Sequence, residues 1–458
     1  MRLFQRNVLA CLLGTAAVSV CLRPAFAEHP TDRLVVANVP LDLSLKPSAV
    51  SPSVVRGAAL TEREAMQRAL AHSPWLRAAG REVEAANGAV DQGGARPNPE
   101  LSYEMEDTRK ASRTNTVILS QPLELGGKRA ARISAAERGR DVASAQLSVR
   151  RAELRAQVQA GFREILAAQE SLHQGDESLA LAQRATQAAA RRVQAGSASP
   201  QEATRARLEE SGARLARAQA EAALGAARDR LAALWGIAQA DFTRVEGRFD
   251  ELPLVPTREA LLSRLDNAPA LAVANNEATR RQALTQVEQS RRYPDLNVSV
   301  GVKRDAEVGR NQAVLGVSIP LPLFDSNRGN LREALARREQ ALDELAVTRA
   351  SVSAELMQAR DRLLLSRLEA DSLTNESLPG AQSALDAATR GYELGKFGFL
   401  DVLDAQRSLF QLKTQRLRAW IEAHKAAGDI ARLLGDETDA ETITNTSSIA
   451  GQTPDRKP

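Results

Sequence analysis

Few residues in this chain have the types and spacing that covalent or metal chemistry needs. His29, His72, His173 and His424 are the only histidines, and no two stand at metal-ligand spacing. The two cysteines, Cys11 and Cys21, both lie near the N-terminus. No nucleophile with matching acid and base partners stands out. Gly126-Gly127-Lys128 resembles the end of a phosphate loop but lacks the full spacing and the Ser/Thr after the lysine. The sequence therefore predicts no enzyme, no cofactor and no metal-ligand set. One carboxylate pair with a shared face is Asp401 and Asp404, in Phe399-Leu400-Asp401-Val402-Leu403-Asp404. Three apart, they share one face of a helix. There they can cap and compensate a helix start.

The ends and the composition limit what can position such a pair. Arg2 and Arg6 precede an apolar run from Val8 to Leu22, and Ala25-Phe26-Ala27 has the small-x-small pattern of a cleavage site. Residues 1–27 read as a signal peptide, with Glu28 the first mature residue. Both cysteines leave with it, so the mature chain is expected to have no disulfide and no thiol chemistry. Val20 before Cys21 is bulkier than lipidation sites normally carry. Aromatics make up 3% and charged residues 26% of the chain, and its net charge is +4. That balance gives no reason to expect nucleic acid. Few aromatics beside abundant Ala, Leu, Glu, Gln and Arg point to long helices. After the signal no apolar stretch reaches about eighteen residues. Any membrane crossing would have to be made by β-strands in a closed barrel.

The chain reads as one unit written twice. His72-Ser73-Pro74 resembles Asn267-Ala268-Pro269, and Asn98-Pro99-Glu100 resembles Tyr293-Pro294-Asp295. Gln121-Pro122-Leu123 resembles Ile319-Pro320-Leu321, Gly196 matches Gly395, and Gly236 matches Gly435. Pro74 and Pro269 are 195 apart and Gly196 and Gly395 are 199 apart, so the offset is nearly constant. The predicted layout is an extended segment over 28–60, a first repeat over 61–255, a second over 256–436 and a disordered tail over 437–458. Each repeat opens with a helical pattern, about Thr61 to Gly93 and Thr257 to Arg291. Two strands, a very long helix, a glycine-containing break and a last helix follow.

The strands are predicted at about 99–109, 114–121, 295–303 and 313–320. Leu296, Val298, Val300 and Val302 alternate with Asn297, Ser299, Gly301 and Lys303, which is period two with one apolar face. After Lys128 no proline occurs until Pro200. Leu147, Leu154, Val158, Phe162, Ile165, Leu172 and Leu179 fall at heptad spacings, as do Leu331, Leu335, Leu342, Leu345, Val352, Leu356 and Leu363. Sixty-odd helical residues span roughly 90–100 Å.

Two strings then carry a family likeness. Ser120-Gln121-Pro122-Leu123-Glu124-Leu125-Gly126-Gly127-Lys128-Arg129 and Ile319-Pro320-Leu321-Pro322-Leu323-Phe324-Asp325-Ser326-Asn327-Arg328-Gly329-Asn330 resemble the strand-to-helix turns of the TolC-type outer-membrane efflux factors, in particular the CzcC-like heavy-metal branch. The resemblance covers about residues 60–436. It implies a mainly α fold with a small β part. It also implies a homotrimer whose twelve strands form one barrel in outer-membrane lipid, continued by a coiled-coil tunnel through the periplasm. The partners it implies are a periplasmic adaptor and an inner-membrane RND pump, and the cargo is divalent metal. Drug efflux or type I protein secretion on the same fold stays open, as does a structural coiled-coil protein without a pore.

The turn residues Pro122, Gly126, Gly127, Pro320, Pro322 and Asn327 are expected at the junction of barrel and tunnel. Proline would end a strand, glycine would re-aim the chain, and Ser326 or Asn327 would cap the next helix. By resemblance the opposite helix ends form a periplasmic tip that meets the adaptor, with Gly196, Ser197, Gly395, Phe397, Gly398 and Leu400 as contact candidates. Phe397, Phe399 and Leu400 either face a partner or pack the hairpin. Asp401 and Asp404 match the family's acidic rings at the tunnel mouth, where stacked carboxylates favour cations. Phe397 stands where TolC has a basic gate residue, a departure from the family pattern that leaves a salt-bridge lock unsupported here.

Overall fold

The computed structural model describes residues 59–247 and 251–436. The expected signal peptide, all but the end of the segment 28–60, and the tail 437–458 lie outside the described residues. Described residues are mostly helical, with two small sheets. A strand β1 (Ala59–Thr61) leads into α1 (Glu62–His72) and α2 (Pro74–Gly94). Strands β2 (Glu100–Glu106) and β3 (Thr114–Leu123) follow, then α3 (Lys128–Gln194), α4 (Pro200–Ala233) and β4 (Arg244–Glu246). The order continues with α5 (Arg258–Leu262), α6 (Pro269–Ser290), β5 (Leu296–Asp305), β6 (Arg310–Ser318), α7 (Arg328–Ser372), α8 (Leu378–Glu393) and α9 (Phe399–Leu434).

The opening helical patterns are each interrupted where the sequence reading ran them straight through. Ser73 and Ala268 have ψ of 120° and 128°, because the residue before a proline is pushed out of the α region. Thr61 starts α1 with a capping box: its hydroxyl accepts from the Glu64 amide at 3.3 Å while the Glu64 carboxylate accepts from the Thr61 amide at 3.1 Å. The parallel pair β1–β4 was not foreseen; three-residue strands are too short to show a period.

The helix α3 runs 67 residues without a break, roughly 100 Å at 1.5 Å per residue. Its heptad side chains Leu154, Val158, Phe162 and Ile165 are buried with Leu224 and Leu231 of α4 and with Trp235 and Phe242 beyond it. Helix α7 buries Val352, Leu356 and Leu363 against α9 and α5. Nearer the sheet, Leu335 and Leu342 stay exposed. Between α7 and α8 lies one π turn, Leu373–Ser377. Pro379 has no amide to offer the Asn375 carbonyl, and the Leu378 amide bonds five residues back to Leu373.

The main sheet has the order β2-β3-β5-β6, all antiparallel. The strand ends differ from those expected. β2 stops at Glu106 because Asp107, at φ 63°, turns the chain and accepts from the Arg109 amide and the Ser112 hydroxyl. β5 and β6 run closer to their hairpin than foreseen, since Asp305 caps the loop through the Glu307 and Val308 amides. Pro122 does not end β3; it pairs with Asn297. β2 begins only at Glu100, opposite Ser120, so β3 has a free edge beyond that pair, where a missing amide costs no ladder bond.

The register sorts the side chains by face. Leu101, Leu119, Val300 and Leu315 form one cross-strand row, and Tyr103, Val117, Val302 and Ala313 the next. The opposite face carries Glu104, Thr116, Lys303 and Gln312 in one row. Burial is inverted relative to a soluble sheet: Leu315 is 81% and Val317 70% exposed, whereas Thr116 is 8% exposed.

Candidate functional site

The residues singled out in the sequence fall at the two ends of the long helices. At the end away from the sheet, the α3–α4 turn is set by Gly196 at φ 69°. The Ser197 amide and hydroxyl both donate to the Arg192 carbonyl, at 2.9 and 3.0 Å. The α8–α9 turn repeats the device with Gly395 at φ 71°, the Lys396 amide reaching the Gly391 carbonyl at 2.8 Å. In both, a left-handed residue after the helix lets the next amide return to the last turn.

The apolar tip residues divide between the two roles left open. Phe399 is buried, 5.7 Å from the Tyr392 ring and in one cluster with Ala206 of α4 and Leu385 of α8. The Phe397 ring lies over Gly391, where any Cβ would overlap it, and its outer half is exposed. Leu400 is exposed outright. Asp401 accepts from the Gly398 amide at 2.8 Å and so closes the first turn of α9. Asp404, one turn on, is exposed, and its carboxylate makes no hydrogen bond or ion pair among the described residues.

One link at this end escaped the sequence reading. The Tyr392 hydroxyl donates to the Glu202 carboxylate of α4. The Arg192 guanidinium of α3 lies 4.3 Å from the centre of the same ring and donates to the Tyr392 carbonyl at 3.4 Å. Arg407 of α9 pairs with Glu209 of α4, and Lys413 of α9 with Glu177 of α3 at 2.8 Å. These contacts fasten the two hairpins together. No local pattern joins residues so far apart in the chain.

At the sheet end, Gly126 and Gly127 have φ of 71° and 73°. A Cβ on Gly126 would strike Tyr293, so two features demand glycine there. Arg132 grips Glu124 with two nitrogens, and Lys128 pairs with Asp295 at 2.7 Å, fixing the start of α3 to the strands. Asn327 precedes α7 at φ 57°, and, against the expected cap from Ser326 or Asn327, no side chain caps this helix. The Asn327 side-chain amide nitrogen instead donates to the Glu288 carbonyl and carboxylate on α6, both at 2.9 Å. Pro320 and Pro322 follow the end of β6 in an exposed apolar segment.

Among the described residues no group of three His, Cys, Asp or Glu gathers to hold a metal ion. No helix among them is long and apolar enough to cross a membrane. The arrangement holds two helix hairpins together and sets an exposed carboxylate beside that joint.

Known proteins share this design. The sequence profile described as "Outer membrane efflux protein" matches residues 65–237 and 261–436. The cobalt-zinc-cadmium resistance protein CzcC of Cupriavidus metallidurans is 46% identical over 82% of this chain and 90% of its own length. The nickel and cobalt resistance protein CnrC of the same organism is 32% identical over 59% of this chain and 66% of its own. Among solved structures, VceC of Vibrio cholerae superposes with a TM-score of 0.69 at 19% identity, covering 82% of this chain and 96% of that one. The outer-membrane channel OprN gives a TM-score of 0.71 at 19% identity, covering 83% and 93%. The inverted sheet, the paired long hairpins and these matches lead to one assignment: the chain belongs to the outer membrane efflux protein family.

Proposed function

We infer that this chain is the outer-membrane exit duct of a tripartite efflux pump, and that the pump exports divalent heavy-metal cations. The observation that carries the reading is the inverted burial of the sheet. An apolar face left in the open beside a polar face with buried threonines suits lipid outside and water inside. A coiled-coil protein without a pore leaves that face unexplained.

Four strands cannot close a pore, so several copies are needed. β2 and β6 are the sheet's edges, and three copies would join them into twelve strands. Helix α4 supports this with an exposed stripe of Leu208, Gly212, Leu215, Ala222 and Ala226 at heptad spacing. On this reading 61–255 and 256–436 are duplicated units, which the two profile matches favour. The tip, with Gly196, Ser197, Gly395, Phe397, Gly398 and Leu400, meets a periplasmic adaptor coupled to an inner-membrane RND pump. Metal cargo rests on the names of the relatives, cobalt-zinc-cadmium and nickel-cobalt resistance proteins. The test is growth on cobalt, zinc and cadmium of cells carrying the partner pump and adaptor, with and without this chain. Heat-modifiable trimers in outer-membrane extracts should accompany resistance. Unchanged metal tolerance would remove the metal cargo, and absence of trimers would remove the duct.

A further inference from the structure

At the sheet end of the long helices four guanidinium groups have no partner among the described residues, against one free carboxylate in the same turns, Glu100. Arg96 precedes β2, Arg292 precedes β5, and Arg328 and Arg332 open α7. All four are exposed, and none of their guanidinium groups has a hydrogen-bond or ion-pair partner among the described residues. Of the carboxylates of these turns Glu100, at the start of β2, makes no hydrogen bond or ion pair among the described residues; the others are engaged. Glu124 is held by Arg132, Asp295 by Lys128, Glu288 by Arg291 and Asn327, and Asp325 by the Asn327 amide.

Arg96 and Arg292 stand four residues before β2 and β5, and Arg328 and Arg332 lie in the first turns of the helix that follows β6, all beyond the last apolar row, Leu123 opposite Leu296. Beyond that row the apolar surface continues through Leu321 and Leu323 to Phe324, which is 102% exposed. Tyr293, beside Arg292, is also exposed. An apolar band that ends in aromatic rings and then in unpaired guanidinium groups follows the order of a bilayer: acyl chain, interface, headgroup. Guanidinium matches phosphate oxygens with paired N–H donors.

We propose that Arg96, Arg292, Arg328 and Arg332 form a belt that binds the phosphates of anionic phospholipid in the periplasm-facing leaflet and fixes the depth of the barrel. The proposal rests on the reading of the sheet as a lipid-facing barrel. Several exposed arginines at one end of a sheet act together on a charged surface, and salt weakens them.

The test uses the full-length trimer reconstituted in phosphatidylcholine vesicles with and without phosphatidylglycerol. Lipid retained after mild detergent extraction is counted by native mass spectrometry. Wild type should retain phosphatidylglycerol over phosphatidylcholine by roughly tenfold at low salt, less at high salt. The quadruple Arg→Gln variant should lose this preference while keeping its heat-modifiable trimer and its conductance. Absence of preference in wild type, or its persistence in the variant, would overturn the belt. A variant that falls apart into monomers would overturn it too, by assigning the arginines to contacts between copies. Wild type that fails to enter phosphatidylcholine vesicles at all would remove the lipid-facing barrel itself.

Discussion

The Tyr392 hydroxyl donates to the Glu202 carboxylate, joining the last turn of α8 to the first turn of α4 across 190 positions in the chain. Burial first, and then the acceptor carboxylate, push this hydroxyl up to about 12. A raised pKa means that the bond is fully present below about pH 10 and is lost only as pH rises through about 12. Deprotonation of this hydroxyl therefore does not break the tie at physiological pH. Tyr392→Phe keeps the ring against Phe399 and removes only the hydroxyl. It should weaken the joint between the hairpins by about 1–2 kcal/mol and raise single-channel conductance in planar bilayers. Unchanged conductance would make the link structural only.

The two faces of the sheet give a second prediction. Val300 and Val317 lie on the exposed apolar face, Ser299 and Ser318 on the other. An arginine facing lipid near the bilayer midplane costs about 2–4 kcal/mol. Val300→Arg or Val317→Arg should reduce the yield of assembled trimer, whereas Ser299→Arg or Ser318→Arg should not. Trimer yield on semi-native gels measures both, and equal yields would mean that the valines do not face lipid.

Periodic features were legible in the sequence and pairwise ones were not. The alternation of Val298, Val300 and Val302 placed β5 because strand geometry writes period two into every residue. The proline-free stretch after Lys128 placed α3 for a similar reason. Asp107 ended β2 early through one side chain and one positive φ, which no period announces. Asn327 was read as a local cap, yet its partner Glu288 lies on another helix. Tyr392, Arg192 and Glu202 showed nothing in sequence, because what relates them is the packing of two hairpins. At the tip, type and exposure separate only in three dimensions: Phe399 and Leu400 are neighbours in sequence, one buried and one open.

A third prediction concerns His424 on α9. Its ring lies 4.1 Å from Trp420 and bonds the Glu251 carbonyl at 3.0 Å. Burial, reinforced by the positive charge of Arg163, lowers it from 6.5 to about 4. The folded protein holds it neutral, while the unfolded chain protonates it from about pH 6.5 downward. Its contribution to stability is thus present above 6.5 and lost as pH falls towards 4. His424→Gln should flatten the fall in thermal midpoint between pH 7 and pH 4.5, by an amount worth about 2–3 kcal/mol. A curve as steep as wild type would assign the acid sensitivity to other groups.

The last prediction separates the two aspartates with which the sequence began. Asp401 already accepts from the Gly398 amide, so Asp401→Ala should loosen the start of α9 by about 0.5–2 kcal/mol. Asp404 is exposed and its carboxylate unpaired among the described residues, so Asp404→Asn should leave stability within about 0.5 kcal/mol of wild type. If Asp404 faces the lumen at the tip, three copies place three carboxylates in a narrow mouth, which concentrates cations and discourages anions. The single variant should then lower cation preference in planar-bilayer reversal potentials and weaken block by multivalent cations from the tip side. The effect should shrink at 1 M salt, where screening shortens to about 3 Å. A double variant with Asp401→Asn should go further in selectivity only if the cap carboxylate also reaches the lumen. Unchanged selectivity of both variants at low salt, in folded trimers, would reduce Asp401 to its cap and place Asp404 on the outer surface, leaving the duct without an acidic mouth.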